Sequence, residues 1–441
     1  MIPTESNVLA ASPVDANGAR RHDRFSEFTF ANGLRVIFHE DHATPMVTLN
    51  VLYHVGSKNE QRGRTGFAHL FEHLMFDGSR NVERGGYDRY CTSVGGDNNA
   101  FTNSDITDYY ISLPSDRLAL GLWLESDRMA EFAIQEISLT TQQNVVIEEK
   151  RQSVDDVPYG DAMTIMRELS YVPAHPYSWE TIGSMEDISA ARMEDVRTFY
   201  QLYYVPSNAT MVIAGDFDPD ETRGLVEQYF GTIPAGGPIT RPVVDDTMLL
   251  RGARRRVNGN IFPFNAVFLG YHAASIHDPD FPALELLASI LADGESSRLY
   301  AALEYEQEIA SEAEAFIDEG EIGSMFYIYA VAQNNRITPA QLERALRAEI
   351  TRLAEEGATE RELRKSKNRR MTRIVHGLQA ISSRAERLAY YAAMFGDPGL
   401  AFHEADLYES VTLEDIRRVA RKYFAGPEPN AIEYVVTKER K

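Results

Sequence analysis

The run EDVRTFYQLYYVPSNATMVIAG, residues 194–215, decides the fold, because its pattern returns as EDIRRVARKYFAGPEPNAIEYVV at residues 414–436. In each copy an acidic start opens an amphipathic helical period, a Pro-containing turn follows, and a β-rich run closes the unit. Glu194 and Glu414 stand 220 positions apart, half of a 441-residue chain. That spacing implies one fold of about half the chain, present twice. Length points the same way, since 441 residues exceed what one hydrophobic core usually serves. The stretch GTIPAGGPITRPVVDD, residues 231–246, is dense in Pro and Gly and reads as the link. The expected division is a flexible tail over 1–26, an N-terminal domain over 27–233, a linker over 234–248 and a homologous C-terminal domain over 249–441.

Outward from the repeat, FTFANGLRVIFHED (28–41) reads as a hairpin turning at Asn32-Gly33, with order beginning near Phe28, and MVTLNVLYHVG (46–56) reads as a further strand. Helical periods run over Thr65–Phe76, Tyr87–Ser93, Ser115–Met129 and Leu139–Ser153, with Gly78 as a stop for the first. NNAFTNSDITDYYISLP (98–114) alternates and is rich in Thr, Tyr and Ile, so it reads as one or two strands. The expected class is α+β: two tandem homologous domains, each an antiparallel or mixed sheet covered by helices on one face.

Sixty-six acidic against 44 basic side chains give a formal charge of −22, which repels phosphate backbones and anionic lipid surfaces. Nucleic acid is therefore not expected as a partner, and the charge reads first as a solubility device. Cys91 is the only cysteine, so no intramolecular disulfide forms, and its segment reads as a small buried hydrophobe. No run approaches the roughly 18 apolar residues of a membrane helix. The first residues lack a basic region followed by an apolar one. The expectation is a soluble chain, cytoplasmic by default and periplasmic if a leader has been removed.

The strongest chemical signal is GFAHLFEHLMF, residues 66–76. On a helix, His69 and His73 stand one turn apart on one face and can converge on a single tetrahedral ion. Glu72 lies beside that face, where its carboxylate can reach a water held by the metal. Phe67, Leu70, Phe71, Leu74, Met75 and Phe76 would bury the helix and keep the site dry. Hydrolytic zinc commonly takes a carboxylate as third protein ligand. In TTQQNVVIEEKRQS, Glu149 falls between Val145 and Val146 on the helix surface, the face expected to be buried, whereas Glu148 points about 100° away. A solvated Glu149 paired with Lys150 or Arg151 is the competing reading. Among other candidates, His54 reads as a hydrogen-bonded strand histidine and His175 as a loop residue at a chamber wall. The DGESSRL run, residues 293–299, reads as a helix cap.

With HLFEH, VVIEE, YHVGSKNE, GGDNNAFTNSDITDYY and SSRLY all present, the chain resembles the pitrilysin family of zinc peptidases. The likeness is to its short-chain branch, which includes bacterial two-subunit enzymes and the mitochondrial processing peptidase. This resemblance implies a half-clam enclosing a chamber, one zinc per chain on His69, His73 and Glu149, and Glu72 as general base. It also implies that Asn99, Ala100 and Phe101 bind the backbone of peptide substrates by strand addition. Two departures stand out. Gln142 stands seven residues before Glu149, where the family usually has a Glu that supports the site. Glu304 and Ser311, counted from Arg298, stand where active relatives carry an Arg and a Tyr. A homologous partner chain supplying that pair is therefore expected, with a self-sufficient homodimer or a non-catalytic structural subunit as the alternatives.

Overall fold

The computed structural model describes residues 20–21, 24–131 and 135–437. The first half comprises β1 (Arg20–Arg21), β2 (Ser26–Thr29), β3 (Arg35–Glu40), β4 (Met46–Tyr53), α1 (Phe67–Asp77), α2 (Gly86–Ser93), β5 (Asp97–Thr102) and β6 (Thr107–Pro114). It continues through α3 (Leu118–Ala130), α4 (Glu136–Lys150), α5 (Ala162–Ser170), α6 (Met185–Ala190), α7 (Met193–Tyr203), β7 (Ala209–Gly215) and α8 (Pro219–Phe230). The second half comprises β8 (Arg254–Gly259), β9 (Ala266–Ala273), α9 (Phe281–Ala292), β10 (Ala310–Asp318), β11 (Ser324–Ala332) and α10 (Pro339–Glu356). It closes with α11 (Glu360–Gly377), α12 (Ile381–Phe395), α13 (Leu400–Glu409), α14 (Leu413–Phe424) and β12 (Asn430–Val436).

The two sheets share one topology. Their orders are β1-β2-β3-β7-β4-β6-β5 and β10-β11-β9-β12-β8. In each, the last strand of the repeat is inserted centrally: β7 runs parallel to β3 and antiparallel to β4, and β12 runs parallel to β8 and antiparallel to β9. The helix before each inserted strand is the one whose sequence repeats. Thr412 caps α14 by accepting the Asp415 amide while Asp415 bonds back, a reciprocal cap encoded in TLED.

The expectation that helices cover one face of each sheet is corrected: both faces are covered. Alternation along the strands separates the two layers. Val36, Phe38, Leu49, Val51, Met211 and Ile213 pack under the helices of their own half. Ile37, Leu52, Val212 and Ala214 face the other way and pack on Ala385, Leu388, Ala389 and Ala392 of α12. The second sheet mirrors this, since Phe268, Tyr327, Ile432 and Tyr434 pack on Ala162, Ile165, Met166 and Leu169 of α5. Each half thus lends a helix to the other's sheet.

Of the tail expected over 1–26, residues 1–19 lie outside the described residues. Order starts before Phe28, because Arg20 and Arg21 pair with Glu27 and Ser26, and Phe25 is buried against Phe402. The Asn32-Gly33 turn is present with Gly33 at φ +87°. Cys91 is buried. Among the described residues, no helix is long and apolar enough to cross a membrane.

A buried ion cluster ties the halves together. Lys58, 3% exposed, donates to Asp105 at 2.8 Å and also pairs with Glu321 from the β10–β11 turn. His54 bonds Glu321 at 2.8 Å, and the Tyr177 hydroxyl donates to Asp105 at 2.6 Å. Burial opposes ionisation of Glu321, but the hydrogen bond from His54 and the charge of Lys58 outweigh it and hold the carboxyl at about 2. A carboxyl held below its ordinary range stabilises the fold at neutral pH and loses that contribution as pH falls from about 4.5 toward 2. Glu321→Gln should therefore lower unfolding free energy by on the order of 2 kcal/mol at pH 7, with the difference closing in acid. Denaturant titrations at a series of pH values check this, and a gap that persists unchanged at pH 3 contradicts it.

Candidate metal centre

The helix α1 enters the site through a backbone constraint. Gly66 takes φ +84°, and a Cβ there would sit 2.7 Å from the Ile182 carbonyl and 2.6 Å from the Ile188 side chain. Only glycine fits that left-handed, crowded crossing. The free amides of the first turn are satisfied from a distance: the Glu60 carboxylate accepts from Gly66 at 2.9 Å and Ala68 at 2.8 Å. Asp187 accepts from both the amide and the hydroxyl of Thr65, at 3.0 and 2.6 Å. Phe67, Leu70, Phe71, Leu74 and Met75 are buried, and Gly78 ends the helix at φ +148°.

Packing of α1 against α4 brings three side chains together. The His69 and His73 Nε2 atoms lie 3.3 Å apart, with Glu149 oxygens 3.5 Å from His69 and 3.3 Å from His73. The His69 distance is to Glu149 Oε1 and the His73 distance to Oε2, and both lie near the roughly 3.3–3.6 Å that separates donors on a tetrahedral zinc with ligands at about 2.0–2.2 Å, so the three side chains fit such an ion. They form the one such His/Cys/Asp/Glu group among the described residues. Burial, reinforced by His73, pushes His69 down to about 4, and burial also lowers His73 against the opposing pull of Glu149. Both imidazoles are then neutral at pH 7 and keep a lone pair for a metal.

Glu149 lies at the rim rather than inside the buried face, because Val146 is buried but Val145 is 43% exposed. Just past it, the helix widens into a π-turn over Arg151–Asp155. Gln143 holds α4 in place by donating to the Ile188 and Ala191 carbonyls at 2.8 and 3.0 Å. Gln142 does not meet the histidines. Its amide donates to Asp77 Oδ1 at 3.2 Å, a second rung along the same helix seam, where Arg84 also reaches Asp77 at 3.2 Å. An amide can donate to that buried carboxylate, whereas an ionised Glu could not.

Glu72 is half-buried beside the triangle. Burial raises its carboxyl above the ordinary range, a hydrogen bond from Thr102 opposes the rise, and Glu149 adds to it. Thr102, the last residue of β5, is a contact the sequence reading did not single out. Asn99, Ala100 and Phe101 lie on that same strand, which pairs with β6 alone and forms the sheet edge next to α1. Glu304 and Ser311 serve the fold locally: Glu304 accepts the Ala313 amide at 2.9 Å, and the Ser311 hydroxyl faces the Val331 and Ala332 carbonyls. Arg298 pairs with Glu362 at 2.6 Å. His54 is hydrogen-bonded as expected. His175 does not line a chamber: it is 1% exposed and stacks on Tyr171 at 4.2 Å.

Two family profiles match the chain, "Insulinase (Peptidase family M16)" over residues 35–169 and "Peptidase M16 inactive domain" over residues 191–370. The chain belongs to peptidase family M16. Within that family it is 28% identical to the zinc protease PqqE of Helicobacter pylori over 407 residues, 92% of this chain and 91% of that protein. It is 24% identical to the mitochondrial-processing peptidase subunit beta of Blastocladiella emersonii, covering 89% of this chain and 84% of that one. The crystal structure of a protease from Helicobacter pylori superposes with a TM-score of 0.85 at 28% identity, over 93% of this chain and 99% of that one. At the level of fold alone, the periplasmic protease PqqL from Escherichia coli matches with a TM-score of 0.73 over 97% of this chain but 48% of that one.

The M16 repeat makes the seam comparable between halves. Asp77-Gly78 at the end of α1 corresponds to Asp293-Gly294 after α9, which puts Glu285 and Ser289 where His69 and His73 stand. Arg370 of α11 pairs with Glu285 at 3.1 Å and with Glu404 at 3.0 Å, so a tethered guanidinium occupies the second seam. Gln142→Glu would place two carboxyls in contact on Asp77, and one must then hold a proton. The variant should lose on the order of 1–2 kcal/mol at neutral pH and recover as pH falls, because the raised pKa belongs to the folded state. Melting curves from about pH 5 to 8 read this, and a pH-independent deficit speaks against the contact.

Proposed function

We propose that this chain is the metal-bearing subunit of a zinc endopeptidase that hydrolyses internal bonds of peptides enclosed between two homologous chains. The observation that carries the reading is the convergence of His69, His73 and Glu149 within metal-ligating reach of one another, with a raised carboxyl, Glu72, beside them. The zinc protease names of M16 relatives support zinc as the metal.

Zinc held there supplies Lewis acidity, polarising the scissile carbonyl and acidifying water. This chain's residues do the rest. His69, His73 and Glu149 would hold the ion. Glu72 accepts the proton of the attacking water on a carboxylate oxygen and delivers it to the leaving amine nitrogen. Residues Asn99, Ala100 and Phe101 offer a strand edge to the substrate backbone, so the peptide lies extended beside α1 and is read largely through main-chain hydrogen bonds.

The Arg and Tyr expected of a complete site are replaced here by Glu304 and Ser311, both engaged in local bonds. We take this as the reason for a homologous partner subunit that contributes those donors. The half-length match to PqqL supports a paired arrangement of such units at the level of fold.

Glu72→Gln should bind zinc like the unsubstituted protein and lose at least about 1,000-fold in cleavage of a fluorogenic peptide. His69→Ala should lose both metal and cleavage. Metal analysis alongside the peptide assay, on the protein with any equimolar partner it co-purifies with, tests this. Unchanged turnover by zinc-replete Glu72→Gln refutes the role of Glu72, and full turnover by the lone chain removes the partner.

A further inference from the structure

The repeat lets the face of α4 beside the metal triangle be followed into the second half. In the first half, Thr141, Asn144, Val145 and Glu148 flank Glu149 along an open groove. Leu139 and Val146, the buried anchors of α4, correspond to Leu363 and Arg370 of α11, each 224 positions later. The same step carries the groove of α4 onto Lys365, Asn368, Arg369 and Thr372 beside Arg373, and these residues line a groove of their own with Arg361 and Arg364. The face has kept its position in the repeat and changed its charge.

That change is large. Helix α11 holds seven Lys or Arg against two Glu, inside a chain of net charge −22. Neutralisation is incomplete. Asp293 is shared by Arg369 at 3.4 Å and Arg373 at 3.1 Å. Lys365 reaches the Asp293 carbonyl and the Ser296 hydroxyl, both at 2.8 Å, but no carboxylate. Arg361 and Arg364 are exposed and have no ion-pair partner among the described residues. From Arg361 to Arg373 the stripe is about 18 Å long. An extended peptide of five or six residues spans that length. A long phosphate polymer would run off the stripe onto acidic surface, whereas a short carboxylate-bearing segment would not.

We propose that the α11 stripe is a docking subsite for an acidic stretch of the peptide substrate, distant in sequence from the bond that is cut. The proposal rests on the peptidase reading above and adds a substrate class to it. The correspondence of faces supplies the orientation, and the uncompensated guanidinium and ammonium groups supply the recognition. Binding through exposed charges adds modest affinity per pair and weakens with salt.

The test uses two labelled peptides with the same central sequence, one ending in Glu-Glu-Glu-Asp and the other in Gln-Gln-Gln-Asn. Their dissociation constants are measured by anisotropy on full-length, zinc-loaded Glu72→Gln protein, with and without Arg361→Glu and Arg364→Glu. The acidic peptide should bind about tenfold tighter at low salt. That preference should vanish in the charge-reversed protein and shrink in Arg361→Gln/Arg364→Gln, while the neutral peptide is unaffected. Equal affinity for the two peptides, or equal loss of both on charge reversal, overturns the subsite. So does a peptide preference that survives charge reversal while sedimentation shows a dimer lost, since the stripe would then be a subunit contact. Cleavage of the neutral peptide by zinc-loaded protein with Glu72 intact, assayed together with any equimolar partner it co-purifies with, reads the peptidase assignment separately: no cleavage there removes that assignment and the substrate role together.

Discussion

Each sheet in this protein is closed on its second face by a helix from the opposite half, and the placement of the candidate centre depends on that exchange. Ile37, Leu52, Val212 and Ala214 would otherwise present an apolar surface to water, at a cost of roughly 25 cal/mol for each Å² left exposed. With α12 seated there, the strands β3, β7, β4 and β6 are held between two layers. Helix α1 can then rest on the other layer with its imidazoles aimed at α4. The ion cluster of Lys58, Asp105, Glu321 and His54 adds a polar lock at the junction. Apolar exchange and buried charge together give the two halves one relative position.

The two α-helical seams show how one packing arrangement accommodates different chemistry. In the first half two imidazoles and a carboxylate converge, and in the second a guanidinium lies among Glu285, Glu404 and the Tyr408 ring, 4.4 Å from its centroid. Both arrangements gather acidic or lone-pair donors around one gap between packed helices. The first is a donor set that could hold a metal ion, whereas the second is filled by its own guanidinium. The same logic applies to Gln142: with Asp77 buried on the facing helix, a neutral donor fits the gap better than another acid.

Much of this was legible in the chain itself. The recurrence of EDVRTFYQLYY as EDIRRVARKYF foretold two copies of one topology, since a helix followed by an inserted strand is the repeat's closing unit. The HLFEH helix needed only a 3.6-residue period to align His69 with His73. Exchange of α5 and α12 was not legible, because the pattern of a buried helix does not say which sheet it covers. The supports of Glu60 and Thr102 were equally hidden, each joining residues on different elements that no local spacing rule connects. His175 was misjudged for a related reason: a Pro-rich loop reads as surface until Tyr171 stacks on the ring. Glu149 stands at the edge of the buried face because Val145, its neighbour one turn back, points outward.

The exchange also shapes how the molecule can be made. While the N-terminal half is being synthesised, its completed sheet has one bare apolar side, and the helix that covers it begins only at Ile381. At ordinary translation speeds of about 5–20 residues per second, that interval lasts on the order of ten seconds or longer. The nascent chain therefore emerges with a sticky surface that its own later sequence must find, a natural point for chaperone attention and for aggregation when expression outruns it.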